Sequence, residues 1–226
     1  MFLDLQRKIY LKIAKKEKFI RFLSNLVYLA IVGFWPVAYL STVGILPGSS
    51  YLYSLGVKFG QGAITLLGIV VIPGILGRFG IEIPITRTIT LFRRRLGILV
   101  FLLGLTHYLL VRLLSIILGY IKFQIFPPLF ELLGMSTLSL LFLLFLTSNN
   151  KSVRSLGKWW KRLHRLIYLV LWLLVFHTGL QRISKWTLFI GLFALLEIIS
   201  FIYLKMKTRD SLAGGALPTQ STDNKK

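Results

Sequence analysis

Six long apolar runs divide this chain, and they constrain its fold more than any other feature. They cover residues 26–47, 60–77, 96–119, 128–147, 163–180 and 186–204. A helix needs about 20 mostly apolar residues to cross a bilayer, and each run is close to that length. The 226-residue chain is 55% hydrophobic and has only seven acidic side chains, which is typical of a membrane protein. We therefore predict an all-α membrane protein, a bundle of six transmembrane helices.

The second run is the weakest helix former of the six. Its helix-weakening residues are Gly60, Gly62, Gly68, Pro73, Gly74 and Gly77. Glycine is nevertheless commoner in membrane helices than in soluble ones, so we keep this run as a span.

The basic residues indicate the orientation of the bundle. The formal net charge of +21 would suggest nucleic acid as a partner of a soluble protein, but here the bases fall between apolar runs. Of the 28 Lys and Arg residues, 23 fall on one side of a six-span bundle. The other side has Lys58, Arg112, Lys122, Arg182 and Lys185. By the positive-inside rule, both termini are predicted to be cytoplasmic, which agrees with an even number of spans.

Two segments flank the predicted membrane domain of residues 26–204. Residues 1–25 are basic, and we expect them to lie at the cytoplasmic surface on anionic headgroups. Residues 205–226 include Gly214, Gly215, Pro218 and several Ser, Thr and Asn residues. This composition predicts a disordered cytoplasmic tail.

The chain contains no cysteine. This excludes disulfides, thiolate ligation of haem and iron–sulfur clusters. Any redox chemistry must therefore come from a bound cofactor.

Three histidines, His107, His164 and His177, lie in or at the ends of apolar runs, and the chain has no others. Imidazole is a common axial ligand of haem iron. At a rise of 1.5 Å per residue, His107 lies about 18 Å beyond Arg95 and His177 about 22 Å beyond Arg162, so their depths match. The third and fifth spans run in the same direction, so the two imidazoles can face each other if these helices are neighbours. We predict that they hold one haem between them.

His164 lies near the cytoplasmic boundary, about 20 Å from His177 along the same helix. At that depth the third span offers Arg93 and Arg94 instead of a histidine, so an inner haem would lack one expected ligand. A spacing of 13 residues also leaves His164 and His177 about 140° apart on a straight α-helix. Either the helical pitch changes locally, or haems are approached from different sides.

Four charged residues have two interpretations each. Arg93 and Arg94 are topology signals or partners of haem propionates. Arg112 holds an outer propionate or extends to water. Glu197 lies inside the sixth run, where a carboxylate is costly, so it is either functional or hydrogen-bonded to a Ser or Trp of a neighbouring helix.

The stretches around the histidines resemble a known family. They are LFRRRLGILVFLLGLTHYLL (91–110), LFLLFLTSN at the end of the fourth run, and LGKWWKRLHRLIYLVLWLLVFHTGL (156–180). Over about residues 86–180 they look like the ferric reductase-like transmembrane domain. Within it they are most similar to the MsrQ family, the haem-binding membrane subunits of bacterial MsrPQ methionine sulfoxide reductase systems.

The resemblance implies several properties of the site and its partners. It implies one haem b, with a second haem and FMN as further candidates, and it matches His107, His164 and His177 to the family's haem-binding histidines. No Gly-rich dinucleotide fingerprint follows the sixth run, so we expect a separate electron donor. The family implies a quinone or a flavin reductase as donor, a periplasmic MsrP-like reductase as acceptor, and the bacterial inner membrane as location.

The sequence thus favours a transmembrane electron-transfer subunit, an oxidoreductase component that leaves the final chemistry to a partner. A metal reductase that reduces ferric iron directly at its outer face is the first alternative. The second is a transporter or channel with histidines in its path. Few intramembrane carboxylates and little sign of an internal repeat weigh against the second alternative.

Overall fold

The computed structural model describes residues 2–45, 49–119, 122 and 124–214, and in these residues the regular structure is entirely helical. The helices are α1 (Phe2–Lys15), α2 (Glu17–Thr42), α3 (Ser49–Arg78), α4 (Pro84–Tyr108), a π-helix (Leu109–Leu113), α5 (Leu114–Ile117), α6 (Leu129–Leu146), α7 (Asn150–Leu156), α8 (Lys158–Leu163), a 3₁₀ turn (His164–Leu166), α9 (Ile167–Gln181) and α10 (Lys185–Gly214).

Six helical stretches of the described chain are long and apolar enough to cross a membrane. They are Glu17–Thr42, Tyr51–Arg78, Pro84–Ile117, Leu129–Leu146, Lys158–Gln181 and Lys185–Arg209, and we call them the first to sixth spans. The predicted all-α bundle of six spans is confirmed. The first span begins nine residues before the predicted start, because the basic stretch before residue 26 is itself helical. The cytoplasmic placement of the termini stays a prediction.

The second span is a continuous helix in spite of its glycines and Pro73. A Cβ at Gly56 would lie 2.7 Å from the Cβ of Leu110, so α3 approaches its neighbour more closely than any side chain would allow. Small residues permit such close packing between membrane helices, where lipid offers no hydrophobic driving force. The glycines that weaken this helix in isolation therefore stabilise its packing.

The apolar core lies between the second, third, fifth and sixth spans. Its most buried members are Leu67, Val100, Val170, Leu171 and Ile190, each at most 1% exposed. Large apolar side chains are also exposed on the bundle surface, among them Phe142 on α6 and Leu195 on α10. Such a surface suits contact with lipid tails.

Both stretches that contain a histidine depart from α-helical pitch. The fifth span changes to a 3₁₀ turn at His164 and returns to α-helix at Ile167. The third span changes to a π-helix at Leu109, two residues after His107. The pitch therefore does change locally between His164 and His177, as one of the two sequence-based alternatives requires.

The two flanking segments are partly helical. Helix α1 lies within the basic N-terminal segment, and it packs against α4. Helix α10 continues to Gly214, whereas the sequence predicted a disordered tail from residue 205. Residues 215–226 lie outside the described residues.

Candidate functional site

A cavity of about 680 Å³ lies between the second, third, fourth and fifth spans, and its wall includes His107 and His177. We call it the His107/His177 cavity. Its volume is within the range of about 300–1,000 Å³ that is usual for cofactor pockets. The structure thus brings the two depth-matched histidines to one space, as the sequence predicts.

The ring of His107 is fixed by the backbone of the second span. Its Nδ1 lies 3.0 Å from the carbonyl oxygen of Gly56. A Cβ on Gly60 would lie 2.8 Å from the same Nδ1, so only glycine leaves room for the ring there. A carbonyl can only accept, so Nδ1 has the proton and donates it, and Nε2 keeps a free lone pair.

His177, on the fifth span, is fixed in the same way by the backbone of the fourth span. Its Nδ1 lies 2.6 Å from the carbonyl oxygen of Phe130, and a Cβ on Gly134 would lie 2.7 Å from its Cε1. In both cases the ring contacts a carbonyl and the glycine four residues later on one helix. A metal-binding histidine typically donates its other N–H to a backbone carbonyl or a carboxylate in this way. We call this pairing the carbonyl–glycine seat.

This donor set fits haem better than a bare metal ion. In the described part of the chain, no three His, Cys, Asp or Glu side chains gather to hold a metal ion. A structural zinc ion requires about four protein ligands. Haem iron already has the porphyrin nitrogens and needs only axial ligands, for which two imidazoles with free Nε2 atoms suffice.

Arg112 also lines the His107/His177 cavity, where it forms an ion pair. Its Nη2 lies 3.0 Å from Oε2 of Glu131, and the two side chains are only 15% and 19% exposed. Arg112 therefore contacts an acidic partner inside the bundle. Glu131 is a site residue that the sequence-based predictions do not include, although it is the one acidic residue of the fourth run.

His164 lies apart from the other two histidines, in a cavity of about 260 Å³ that we call the His164 cavity. Its ring stacks on Trp160 with 4.1 Å between centroids, and Thr147 Oγ1 lies 3.2 Å from its Nε2. Val100 and Leu141 line both cavities, so one apolar layer separates them. In contrast to His107 and His177, the Nε2 of His164 is engaged by the protein.

Basic side chains surround the His164 cavity. They are Arg93, Arg94, Lys161 and Arg165. Arg94 also donates from Nη1 to Oδ1 of Asn150 at 2.6 Å. No acidic side chain lines this cavity within the described residues, so its field favours an anionic group.

Glu197 forms a buried ion pair with Arg78, and the two side chains are 4% and 12% exposed. Arg78 also donates from Nε to Ser200 Oγ at 2.8 Å and from Nη1 to Tyr168 OH at 3.2 Å. Its guanidinium lies 4.2 Å from the ring centroid of Phe201. In the sequence, Arg78 is one of the 23 basic residues that indicate the cytoplasmic side. The partner of Glu197 is thus an arginine of the second span, and the cluster joins the second, fifth and sixth spans.

Comparisons with known proteins agree with this architecture. The model of the family described as "Ferric reductase like transmembrane component" matches residues 58–175, a range that contains His107 and His164 and ends two residues before His177. No solved structure gives a significant match.

Several curated proteins are similar to part of the chain, and the three that follow are each named "Protein-methionine-sulfoxide reductase heme-binding subunit MsrQ". The protein of Agrobacterium fabrum is 42% identical over 95 residues, 41% of this chain and 44% of the relative. That of Rhizobium meliloti is 33% identical over 150 residues, 63% of this chain and 65% of the relative. That of Brucella ovis is 40% identical over 86 residues, 37% and 39% of the two chains. The chain thus spans less than two thirds of the length of these relatives.

Proposed function

This chain belongs to the ferric reductase like transmembrane component family, and from that premise we propose that it is a haem b subunit that passes electrons across a membrane. In this proposal the acceptor is a periplasmic reductase of the MsrP type, the donor is a quinone or a flavin reductase, and the membrane is the bacterial inner membrane. The names of its MsrQ relatives, which state haem binding within a methionine sulfoxide reductase, support this assignment.

One observation carries the proposal. His107 and His177 line the same cavity, and each ring donates through Nδ1 to a backbone carbonyl, which leaves both Nε2 atoms free to bind iron. We assign His107 and His177 as the two residues that would hold the haem iron. When bound, haem supplies a one-electron redox couple at this level of the membrane. Iron held by both imidazoles would have no open position, so the site would suit electron transfer and not the binding of oxygen or substrate.

The protein's own groups prepare this site. The carbonyl–glycine seats fix the tautomer and orientation of both rings, which keeps the ligand atoms in place. Apolar residues, among them Ile64 and Leu174, form much of the wall between them. Arg112 supplies a cation at the same wall, and we assign it as a partner for a propionate.

We assign the His164 cavity to the cytoplasmic side, where electrons enter. Arg93 and Arg94 lie there with His164, and their charge suits the propionates of a second haem or the phosphate of FMN. Thr147 contacts Nε2 of His164, so this histidine would have to give up that hydrogen bond before it could bind iron. The first haem is therefore assigned to the His107/His177 cavity.

Absorption spectra of the purified full chain from haem-replete cells test the proposal. We expect Soret and α/β bands in the wild type, and their loss in His107→Ala and His177→Ala. Phe176→Ala is the matched control, since Phe176 adjoins His177 but is 52% exposed on the bundle surface. A wild type without haem bands, or full bands in both histidine variants, would overturn the proposal.

The description of the family favours one second candidate, direct reduction of ferric iron at the outer face. The chemically reduced protein in nanodiscs decides between the two. Rapid oxidation by ferric citrate with no protein partner would favour the metal reductase. Oxidation that requires a periplasmic reductase would favour the subunit.

A further inference from the structure

The ion pair between Arg112 and Glu131 is a feature that axial ligation does not require. Both side chains line the His107/His177 cavity and are mostly shielded from solvent. Charged groups at such a place are costly unless they are paired. An apolar wall would enclose the cavity equally well, so the pair needs another explanation.

Each partner of the pair lies close in sequence to one of the two histidine sites. Arg112 follows His107 by five residues, and on an α-helix that spacing would turn it about 140° away. The π-helix Leu109–Leu113 has i→i+5 bonding, and this wider turn brings Arg112 closer to the face of His107, so that both line the same cavity. Glu131 directly follows Phe130, whose carbonyl holds His177. The pair therefore joins the span that contains His107 to the segment that holds His177.

We propose that the Arg112–Glu131 pair sets the reduction potential of the haem assigned to this cavity, and this inference rests on the proposed function. Reduction of the iron adds one negative charge to the site. A nearby guanidinium stabilises the reduced form and a nearby carboxylate stabilises the oxidised form, both more strongly in a low-dielectric interior than in water. As a pair the two charges largely cancel, so the potential depends on their balance. Arg112 and Glu131 are thus positioning residues that tune the cofactor.

Potentiometric titration of the full chain in nanodiscs, followed at the haem absorption bands, tests this. Glu131→Gln leaves an unbalanced cation, so we expect the midpoint potential to rise. Arg112→Gln leaves an unbalanced anion, so we expect it to fall. Each shift should correspond to roughly a tenfold change in the equilibrium constant of reduction, which is about 59 mV for a one-electron couple. The double variant should return close to the wild-type value.

Opposite signs for the two single variants separate charge from structure. A merely structural link between the span of His107 and the segment that holds His177 would move both potentials in the same direction. Shifts of the same sign, or no shifts with haem retained, would overturn the inference. Absence of haem from the wild type would instead overturn the proposed function.

Two further variants complete the experiment. Glu82→Gln is the matched control, because Glu82 and Arg87 form a similar pair at 3.1 Å that is 73% and 63% exposed, and we expect no shift. If a single variant loses its haem, a double variant with the two charges exchanged, Arg112→Glu with Glu131→Arg, is measured instead. Recovery of haem with a potential near the wild-type value supports the inference, and continued loss of haem contradicts it.

Discussion

The His107/His177 cavity and the His164 cavity each contain histidine, but they hold it differently. In the first, main-chain carbonyls accept from Nδ1 and glycines make room for the rings, so Nε2 is free on both. In the second, Thr147 contacts Nε2 and Trp160 stacks on the ring. The first cavity is large and lined by two arginines, of which Arg112 is paired with Glu131, whereas the second is small and lined by four basic side chains. The difference separates a place suited to iron ligation from a place suited to an anionic group.

The largest expected effect is a loss of stability in the cluster of Arg78, Glu197 and Tyr168, which adjoins the His164 cavity. Arg78→Leu would leave Glu197 buried without its cation and Tyr168, which lines that cavity, without its hydrogen bond. Loss of one partner of a buried pair costs about 3–5 kcal/mol of stability. We expect a clear fall in the temperature of thermal unfolding in detergent. Arg87→Leu, in an exposed pair, is the control and should cost at most about 1 kcal/mol.

The second effect concerns the carbonyl–glycine seats. Gly60→Ala and Gly134→Ala would each place a Cβ within 3 Å of an imidazole ring and push it from its carbonyl. Loss of such support typically lowers metal affinity about 10- to 100-fold, so we expect that fall in haem affinity. Haem titration of the apoprotein measures it. Gly62→Ala on the same helix is the control, because its Cβ would meet only Leu103 at 3.8 Å. Equal affinities in all three variants would remove the distinction between the two cavities.

A smaller effect separates the two histidine environments directly. His164→Ala should leave the spectrum of the haem at His107 and His177 intact, because one apolar layer lies between the cavities. We expect the rate of haem reduction by a cytoplasmic-side donor such as reduced flavin to fall, measured by stopped flow. Loss of the entire haem spectrum in this variant would show that His164 is needed for the first haem.

The smallest effect comes from Thr147→Ala. This change removes the hydroxyl group that contacts His164 Nε2, and a hydrogen bond of this kind contributes about 1 kcal/mol. We expect a small loss of stability and an unchanged spectrum of the first haem. A new low-spin haem signal after haem is added in excess would indicate that His164 then binds iron.

Much of the fold could be predicted from the sequence, because hydrophobic length and basic loops reflect the bilayer itself. The six spans and the shared depth of His107 and His177 follow from counting residues along straight helices. The same counting places His164 and His177 about 140° apart on a straight helix, because it does not include the 3₁₀ turn at His164. Such a change of pitch depends on packing and not on a local sequence pattern.

The parts that the sequence did not reveal depend on contacts between distant segments. Gly60 was noted only as a helix-weakening residue, whereas its role is set by a ring on another span. Glu197 was recognised as an anomaly, but its partner Arg78 lies 119 positions away. Glu131 could have been found as the only acidic residue of the fourth run, had it been matched in depth with Arg112.

The carbonyl–glycine seats have a further consequence for the speed of electron exchange. A hydroxyl or carboxylate side chain can rotate when the charge on iron changes, and each such rotation adds to the reorganisation energy. A carbonyl that already belongs to a helix has no such freedom, and the absent Cβ lets the imidazole rest directly on that rigid main chain. In the proposed haem site, the rings of His107 and His177 should therefore keep nearly the same geometry in the ferric and ferrous states.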